Sequence, residues 1–154
     1  IAVASFKLNK NSYGDKIDQS ARKFLRDVNL DYPHGTGHGV GYFGNVHEGP
    51  QAISRGNKVK FKEGMITSNE PGYYKKGHFG IRIENLVYVK RTKDKLKFED
   101  LTLVPIDTTL IEKKLLTSSE RHWLNKYHQR VFVCLKKYMN KLELTQLKLA
   151  CSDI

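Results

Sequence analysis

Tyr32-Pro33-His34-Gly35-Thr36-Gly37-His38-Gly39-Val40-Gly41 opens the stretch on which the reading of this chain turns. It runs on through Asn45-Val46-His47-Glu48-Gly49-Pro50 and closes on Asn69-Glu70-Pro71-Gly72-Tyr73-Tyr74 and Gly80-Ile81-Arg82-Ile83-Glu84-Asn85. Three of the six histidines, His34, His38 and His47, lie in its first part. Glycine takes every second position from Gly35 to Gly41. That excludes a stable helix, because each interior glycine costs about 1 kcal/mol relative to alanine. Any chemistry here is therefore delivered from extended backbone.

Two familiar motifs are mimicked and fail. Gly39-Val-Gly41-Tyr-Phe-Gly44 fits G-x-G-x-x-G, but that fingerprint needs a helix N-terminus after it to receive a pyrophosphate. Asn45-Val46-His47-Glu48-Gly49-Pro50 is no helix, so no nucleotide cofactor is expected. His34 and His38 have the spacing of H-E-x-x-H zinc sites, but Gly35 stands where the glutamate belongs and the backbone is not helical.

What survives is a ligand set of mixed type. Glu70 ends one expected strand and Glu84 lies in a later one, so adjacent antiparallel strands can present both carboxylates on one face. An unpaired carboxylate in such a setting costs several kcal/mol or neutralises. Arg82, two residues from Glu84, is one partner; a metal shared with His38 is the other, and it serves both acids. Histidine and glutamate together suit a small divalent metal. Carboxylate-rich sites commonly hold two metals about 3.5–4 Å apart and need about five protein ligands. Asp15, Asp18 and Asp31 read as cap and surface residues, so the count stands two short.

Outward from this stretch, Ile-Ala-Val-Ala-Ser-Phe at the start reads as the middle of a helix, and residues 1–8 are expected to continue one. With Ile1 in first place, the chain is expected to be part of a longer protein. Asp15 is expected as an N-cap, followed by a helix with Ile17, Ala21, Phe24, Leu25 and Val28 on its apolar face and Arg22, Lys23 and Arg26 on the other. Strands are expected over Lys58–Phe61, Met65–Asn69, Phe79–Lys90 and Phe98–Val104, with turns at Lys62-Glu63-Gly64 and Lys75-Lys76-Gly77. In Phe79–Lys90, Ile81, Ile83, Val87 and Val89 share one parity. Thr117-Ser-Ser-Glu120 is a capping box ahead of a helix marked by Trp123, Tyr127, Val131, Leu135 and Tyr138. A last helix is expected over Lys141–Ala150. The domain reading is residues 1–31 helical, 32–106 strands and loops of the site, and 107–154 a helical extension.

The net charge of +11 is concentrated in residues 50–99, with 12 Lys/Arg against 5 Asp/Glu. Its densest run, Lys90 to Lys97, has no aromatic interleaved and reads as a solvated hairpin tip, so a nucleic-acid partner is not expected. Cys134 and Cys151 are too few for a disulfide scaffold, and Cys134 reads as a small buried thiol. No apolar run approaches the roughly 20 residues that span a bilayer.

His34 to Gly41, Asn45-Val46-His47-Glu48-Gly49-Pro50, Glu63 to Tyr74, Gly77 to Asn85 and Leu101-Thr-Leu-Val-Pro-Ile106 together closely resemble the C-terminal half of the eukaryotic Xaa-Pro aminopeptidase catalytic domain. The resemblance extends to Trp123-Leu-Asn-Lys-Tyr-His128 and covers nearly the whole chain. It implies an α+β fold, the C-terminal half of a pita-bread domain, with a curved antiparallel sheet and helices on one face. It also implies two divalent metals, typically Mn2+, with Zn2+ or Co2+ as other choices. On matching positions His38 and Glu70 become ligands of one metal and Glu84 a bridge between both. His34 and His47 become pocket histidines, and Tyr74 and Arg82 supporting residues. The family's two remaining ligands are aspartates on strands upstream, which this sequence does not contain.

The activity so implied is removal of an N-terminal residue when proline is second, by a water that the metals activate, with Glu70 as general base and His47 as donor to the carbonyl oxygen. Implied partners are such peptides, the remainder of the same catalytic domain and a second copy in a homodimer, in the cytoplasm. The chain alone is expected to bind metal weakly and to be inactive. The alternative is a noncatalytic relative that binds protein or nucleic acid, favoured by the charge but having no need of His34, His38, His47, Glu70 and Glu84.

Overall fold

Seven short strands and three α-helices form among the described residues, which in this computed structural model are 1–9, 11–93 and 95–154. They belong to two compact units, Ala2–Thr102 and Leu103–Ile154 with Ile1. All strand pairing is antiparallel, as an α+β reading requires.

In the first unit, α1 (Gly14–Arg26) precedes β1 (Gly37–His38), β2 (Ala52–Ile53), β3 (Ile66–Asn69), β4 (Gly72–Lys75), β5 (Phe79–Arg82), β6 (Asn85–Thr92) and β7 (Lys95–Asp100). The main sheet has the order β3-β6-β7; β1-β2 and β4-β5 are two-stranded ribbons. A bridge between Gly39 and Thr67 ties the β1-β2 ribbon to β3. Val87 and Val89 point inward from β6, against Ile17 of α1, Ile53, Phe61, Phe98, Val3 and Leu8. Burying each such side chain stabilises by about 1.5–3 kcal/mol, which is what holds the short strands together.

Several expectations are corrected here. Residues 2–5 form turns, not a continuing helix. The spacing misled because a turn also brings i and i+3 together: Phe6 N–H donates to Val3 O (3.0 Å), and Leu8 bridges to Leu96. Tyr13, not Asp15, is the N-cap of α1. Asp15 instead accepts from Gly56 N–H (2.8 Å) and from the Gln19 amide (2.7 Å). The buried face of α1 is rotated toward Asp18 and Arg22, both buried, while Phe24 and Val28 are 63% and 62% exposed. Lys58–Phe61 contributes a single bridge, Tyr13 to Lys60, because only Phe61 is needed by the core.

The expected strand Phe79–Lys90 is two strands. It breaks at Ile83-Glu84, β5 pairing with β4 and β6 with β3 and β7. Val87 and Val89 are buried, but Ile81 and Ile83 are exposed, since the break ends the shared parity. The final strand is Lys95–Asp100, earlier than Phe98–Val104, because Thr92 pairs with Lys95 across a tight tip. The Lys90–Lys97 run does flank that tip; Asp94 lies outside the described residues.

In the second unit, α2 (Ser118–Leu135) and α3 (Lys141–Ala150) each begin with a complete capping box, at Thr117/Glu120 and Asn140/Glu143. Tyr127, Val131 and Leu147 form its core, with Trp123 stacked on Tyr127 at 5.5 Å. Tyr138 is exposed, because α2 stops at Leu135 and a 3-10 turn, Lys136–Tyr138, carries it outward. Both cysteines are free and only partly buried, Cys134 included. No helix among the described residues is long and apolar enough to cross a membrane.

Candidate metal centre

The glycines place His38. A Cβ on Gly37 would stand 1.9 Å from Ser68 O, and one on Gly39 2.0 Å from Glu48 O, so only glycine lets β1 run this close to β3 and to the following loop. His38 N–H donates to Ser68 Oγ (2.9 Å), and Thr67 Oγ1 donates to His38 O (2.8 Å). The main chain of His38 is thus pinned to β3 from both sides.

Strand register places the two acids. Asn69 of β3 pairs with Asn85 of β6, so the next residue of each chain segment, Glu70 and Glu84, meets across the end of the sheet. Glu70 lies just beyond β3 and Glu84 just before β6, not within a strand. Glu70 is 9% exposed; Ser68 Oγ donates to its Oε1 (2.8 Å) and Arg82 Nη1 to its Oε2 (3.2 Å). Glu84 is exposed.

One donor atom from each of His38, Glu70 and Glu84 lies within 4.8 Å of the others, and no other such cluster occurs among the described residues. Donors about 2.1 Å from a metal can be at most about 4.2 Å apart. The three donors therefore lie at or close to the spacing that one shared ion requires. His38 Nδ1 faces Gly39 O at 3.1 Å, and a carbonyl only accepts, so in the neutral ring the proton sits on Nδ1. Nε2 then presents its lone pair to Glu70 Oε1 at 3.3 Å. In that neutral ring two acceptors face each other, and either a metal ion or a second proton on Nε2 joins them. The donor set therefore fits a divalent metal.

The other predicted residues converge on the same place. His34 Nδ1 donates to Gly35 O (2.7 Å), which leaves Nε2 to accept from the Tyr74 hydroxyl (2.8 Å) in the neutral ring. Tyr74 in turn accepts from Arg82 Nε (2.8 Å), and Arg82 reaches Glu70. The hydrogen bond to Tyr74, then the nearby Glu70 and Glu84 charges, hold the Arg82 guanidinium above its ordinary value. His47 is exposed, with its ring 4.0 Å from that of His38. Its loop is shaped by Gly41 N–H to Asn45 O and Glu48 N–H to Gly39 O, both 2.8 Å.

Sequence reasoning missed Ser68, which serves both His38 and Glu70, and Thr36, whose carbonyl accepts Glu70 N–H (2.8 Å). Of the two acids read as surface or cap residues, Asp31 is indeed exposed, but Asp18 is not. Asp18 is buried against Arg22 Nε (2.8 Å), and Asp31 accepts from Arg22 Nη1 (2.6 Å) and Arg26 Nε (2.9 Å). Desolvation opposes the charge on Asp31, but the bonds from Arg22, Tyr32 N–H and Arg26 outweigh it and lower its pKa to about 2. Both acids are occupied and supply no metal ligand. The i,i+4 spacing of Asp18 and Arg22 signals an ion pair but not its burial.

Residues 2–91 match Metallopeptidase family M24, and residues 94–154 match the C-terminal region of peptidase M24. A probable Xaa-Pro aminopeptidase P of Coprinopsis cinerea is 50% identical over 143 residues, covering 86% of this chain and 23% of that protein. One from Botryotinia fuckeliana is 46% identical over 149 residues, covering 88% and 22%. The chain thus spans about a quarter of the length of the curated relatives it matches. Among solved structures, the X-prolyl aminopeptidase of Caenorhabditis elegans, a cytosolic enzyme with a di-nuclear active site, superposes with TM-score 0.91 at 38% identity. The match covers 99% of this chain and 27% of that one. An X-Pro aminopeptidase of Thermotoga maritima gives TM-score 0.56 at 37% identity over 65% of this chain and 27% of its own.

Proposed function

This chain belongs to metallopeptidase family M24, and we propose that in the full-length protein it carries the metal-binding and proton-handling residues of an Xaa-Pro aminopeptidase. The observation that carries this reading is His38 Nε2 facing Glu70 Oε1 at 3.3 Å, with Glu84 as third donor.

His38, Glu70 and Glu84 would hold the metal. Bound there, divalent metal supplies Lewis-acid polarisation of the scissile carbonyl and a water acidic enough to attack it. The Glu70 carboxylate is the group that would take the attacking water's proton, and Ser68 and Arg82 keep that carboxylate oriented. His47, exposed beside His38, donates to the carbonyl oxygen as negative charge builds on it. The Arg82–Tyr74–His34 chain, with Gly35 O on the other ring nitrogen, engages both nitrogens of His34 and so fixes its ring beside Glu70 and Arg82. The di-nuclear C. elegans enzyme supports a second metal; that Glu84 would serve both, with further ligands outside these three, rests on the family resemblance. Manganese as that metal, peptides with proline second as substrate and a homodimeric state rest on the family resemblance. A cytoplasmic location has the cytosolic C. elegans enzyme behind it.

The test is hydrolysis of an Arg-Pro-Pro peptide by full-length protein, stripped with chelator and then given Mn2+. Release of arginine that needs the metal supports the reading; a metal-loaded, folded protein that releases none overturns it.

A further inference from the structure

We propose that Arg22 is a positioning residue for the metal centre, a clamp that sets the backbone of the His34–His38 loop from beneath. This deepens the aminopeptidase reading and rests on it for its activity readout only. Arg22 is 6% exposed, and its charge is fully answered. Its Nε donates to Asp18 Oδ2 (2.8 Å), Nη1 to Asp31 Oδ1 (2.6 Å) and to Tyr32 O (2.8 Å), and Nη2 to His34 O. Its guanidinium also lies 4.0 Å from the centroid of the Tyr32 ring.

Two of these acceptors are main-chain carbonyls on either side of Pro33, so one planar group dictates the path of the chain into His34. Asp18 carries the restraint further. Its Oδ1 accepts from Thr36 Oγ1 (2.6 Å), and Thr36 O accepts the Glu70 N–H (2.8 Å). The Tyr32 hydroxyl meets Thr36 Oγ1 at 2.5 Å. A single ion pair on α1 therefore reaches the backbone of two residues at the site, His34 directly and Glu70 through Thr36.

A plain structural ion pair would need only Asp18. The use of four acceptors in four directions requires the guanidinium fork, which lysine, with three donors on one atom, cannot reproduce. Outer-shell partners that orient site groups change metal affinity or activity by about 10- to 100-fold when replaced.

The experiment compares wild type, Arg22→Lys and Arg22→Ala in the full-length protein. Amide hydrogen exchange on metal-free protein is expected to quicken in residues 32–39 of Arg22→Lys while residues 85–100 keep wild-type protection. With Mn2+ bound, kcat is expected to fall about 10- to 100-fold with KM within about twofold. Guanidinium ion is expected to restore part of the rate of Arg22→Ala; if that variant does not fold, Arg22→Lys alone decides. Wild-type exchange and wild-type kcat in Arg22→Lys overturn the proposal, as does faster exchange spread evenly over the first unit. An inactive wild type with the local exchange response intact would instead refute the aminopeptidase reading and leave the clamp standing.

Discussion

Glu70 and Glu84 face each other one step beyond the Asn69–Asn85 pair, and only Glu70 is buried. The buried acid has a serine, an arginine and a histidine around it; the other lies at the surface. This asymmetry separates the effects of changing them.

Glu84→Gln removes a donor from an exposed position. Stability is expected to stay within about 0.5 kcal/mol of wild type, as for most surface changes, while kcat/KM falls by about 100-fold or more. Urea denaturation beside peptide hydrolysis checks both halves. Near-wild-type turnover would remove Glu84 from the ligand set.

Gly37→Ala drives a Cβ into the Ser68 carbonyl at 1.9 Å, and neither backbone can yield without parting β1 from β3. A loss of about 1–3 kcal/mol or more is expected from the overpacking, together with weaker Mn2+ binding because His38 moves. Calorimetric metal titration of the variant reads the second effect.

Asp31 has a pKa of about 2 in the folded state against an ordinary 3.8. A depressed carboxyl contributes stability that is fully present above the ordinary value and is lost as pH falls through the folded one. The first unit is therefore expected to weaken between roughly pH 4 and pH 2. Asp31→Asn is expected to flatten that limb while lowering stability at neutral pH. An unchanged acid limb in Asp31→Asn would show that other groups control it.

Thr117 and Asn140 each close a capping box at the start of α2 and α3. Replacing either with alanine is expected to cost about 1 kcal/mol, read as a shifted denaturation midpoint with unchanged slope.

Much of the centre was legible because its chemistry shows in residue type. His38, Glu70 and Glu84 are unusual on apolar or glycine-rich segments, and the structure brings them together. Val87 and Val89, the Thr117/Glu120 capping box and α3 also follow local rules and lie where patterning places them, whereas sequence reasoning missed the Asn140/Glu143 box at the start of α3. The break at Ile83-Glu84 was not legible: alternation runs through it unbroken, and only the competing pairings of β4-β5 and β3-β6-β7 reveal it. Asp18 and Arg22 were misread for a different reason. An acid and a base four apart on a helix usually mark a solvated face, and the carbonyls that bury this pair come from Tyr32 and His34, after the helix ends.

The central claim, that His38, Glu70 and Glu84 hold a divalent metal, is tested most directly by anomalous diffraction from crystals of full-length protein soaked in Mn2+. The expected result is manganese density about 2 Å from His38 Nε2 and from an oxygen of each glutamate. Manganese density elsewhere in saturated crystals, with these three side chains left empty, would contradict it.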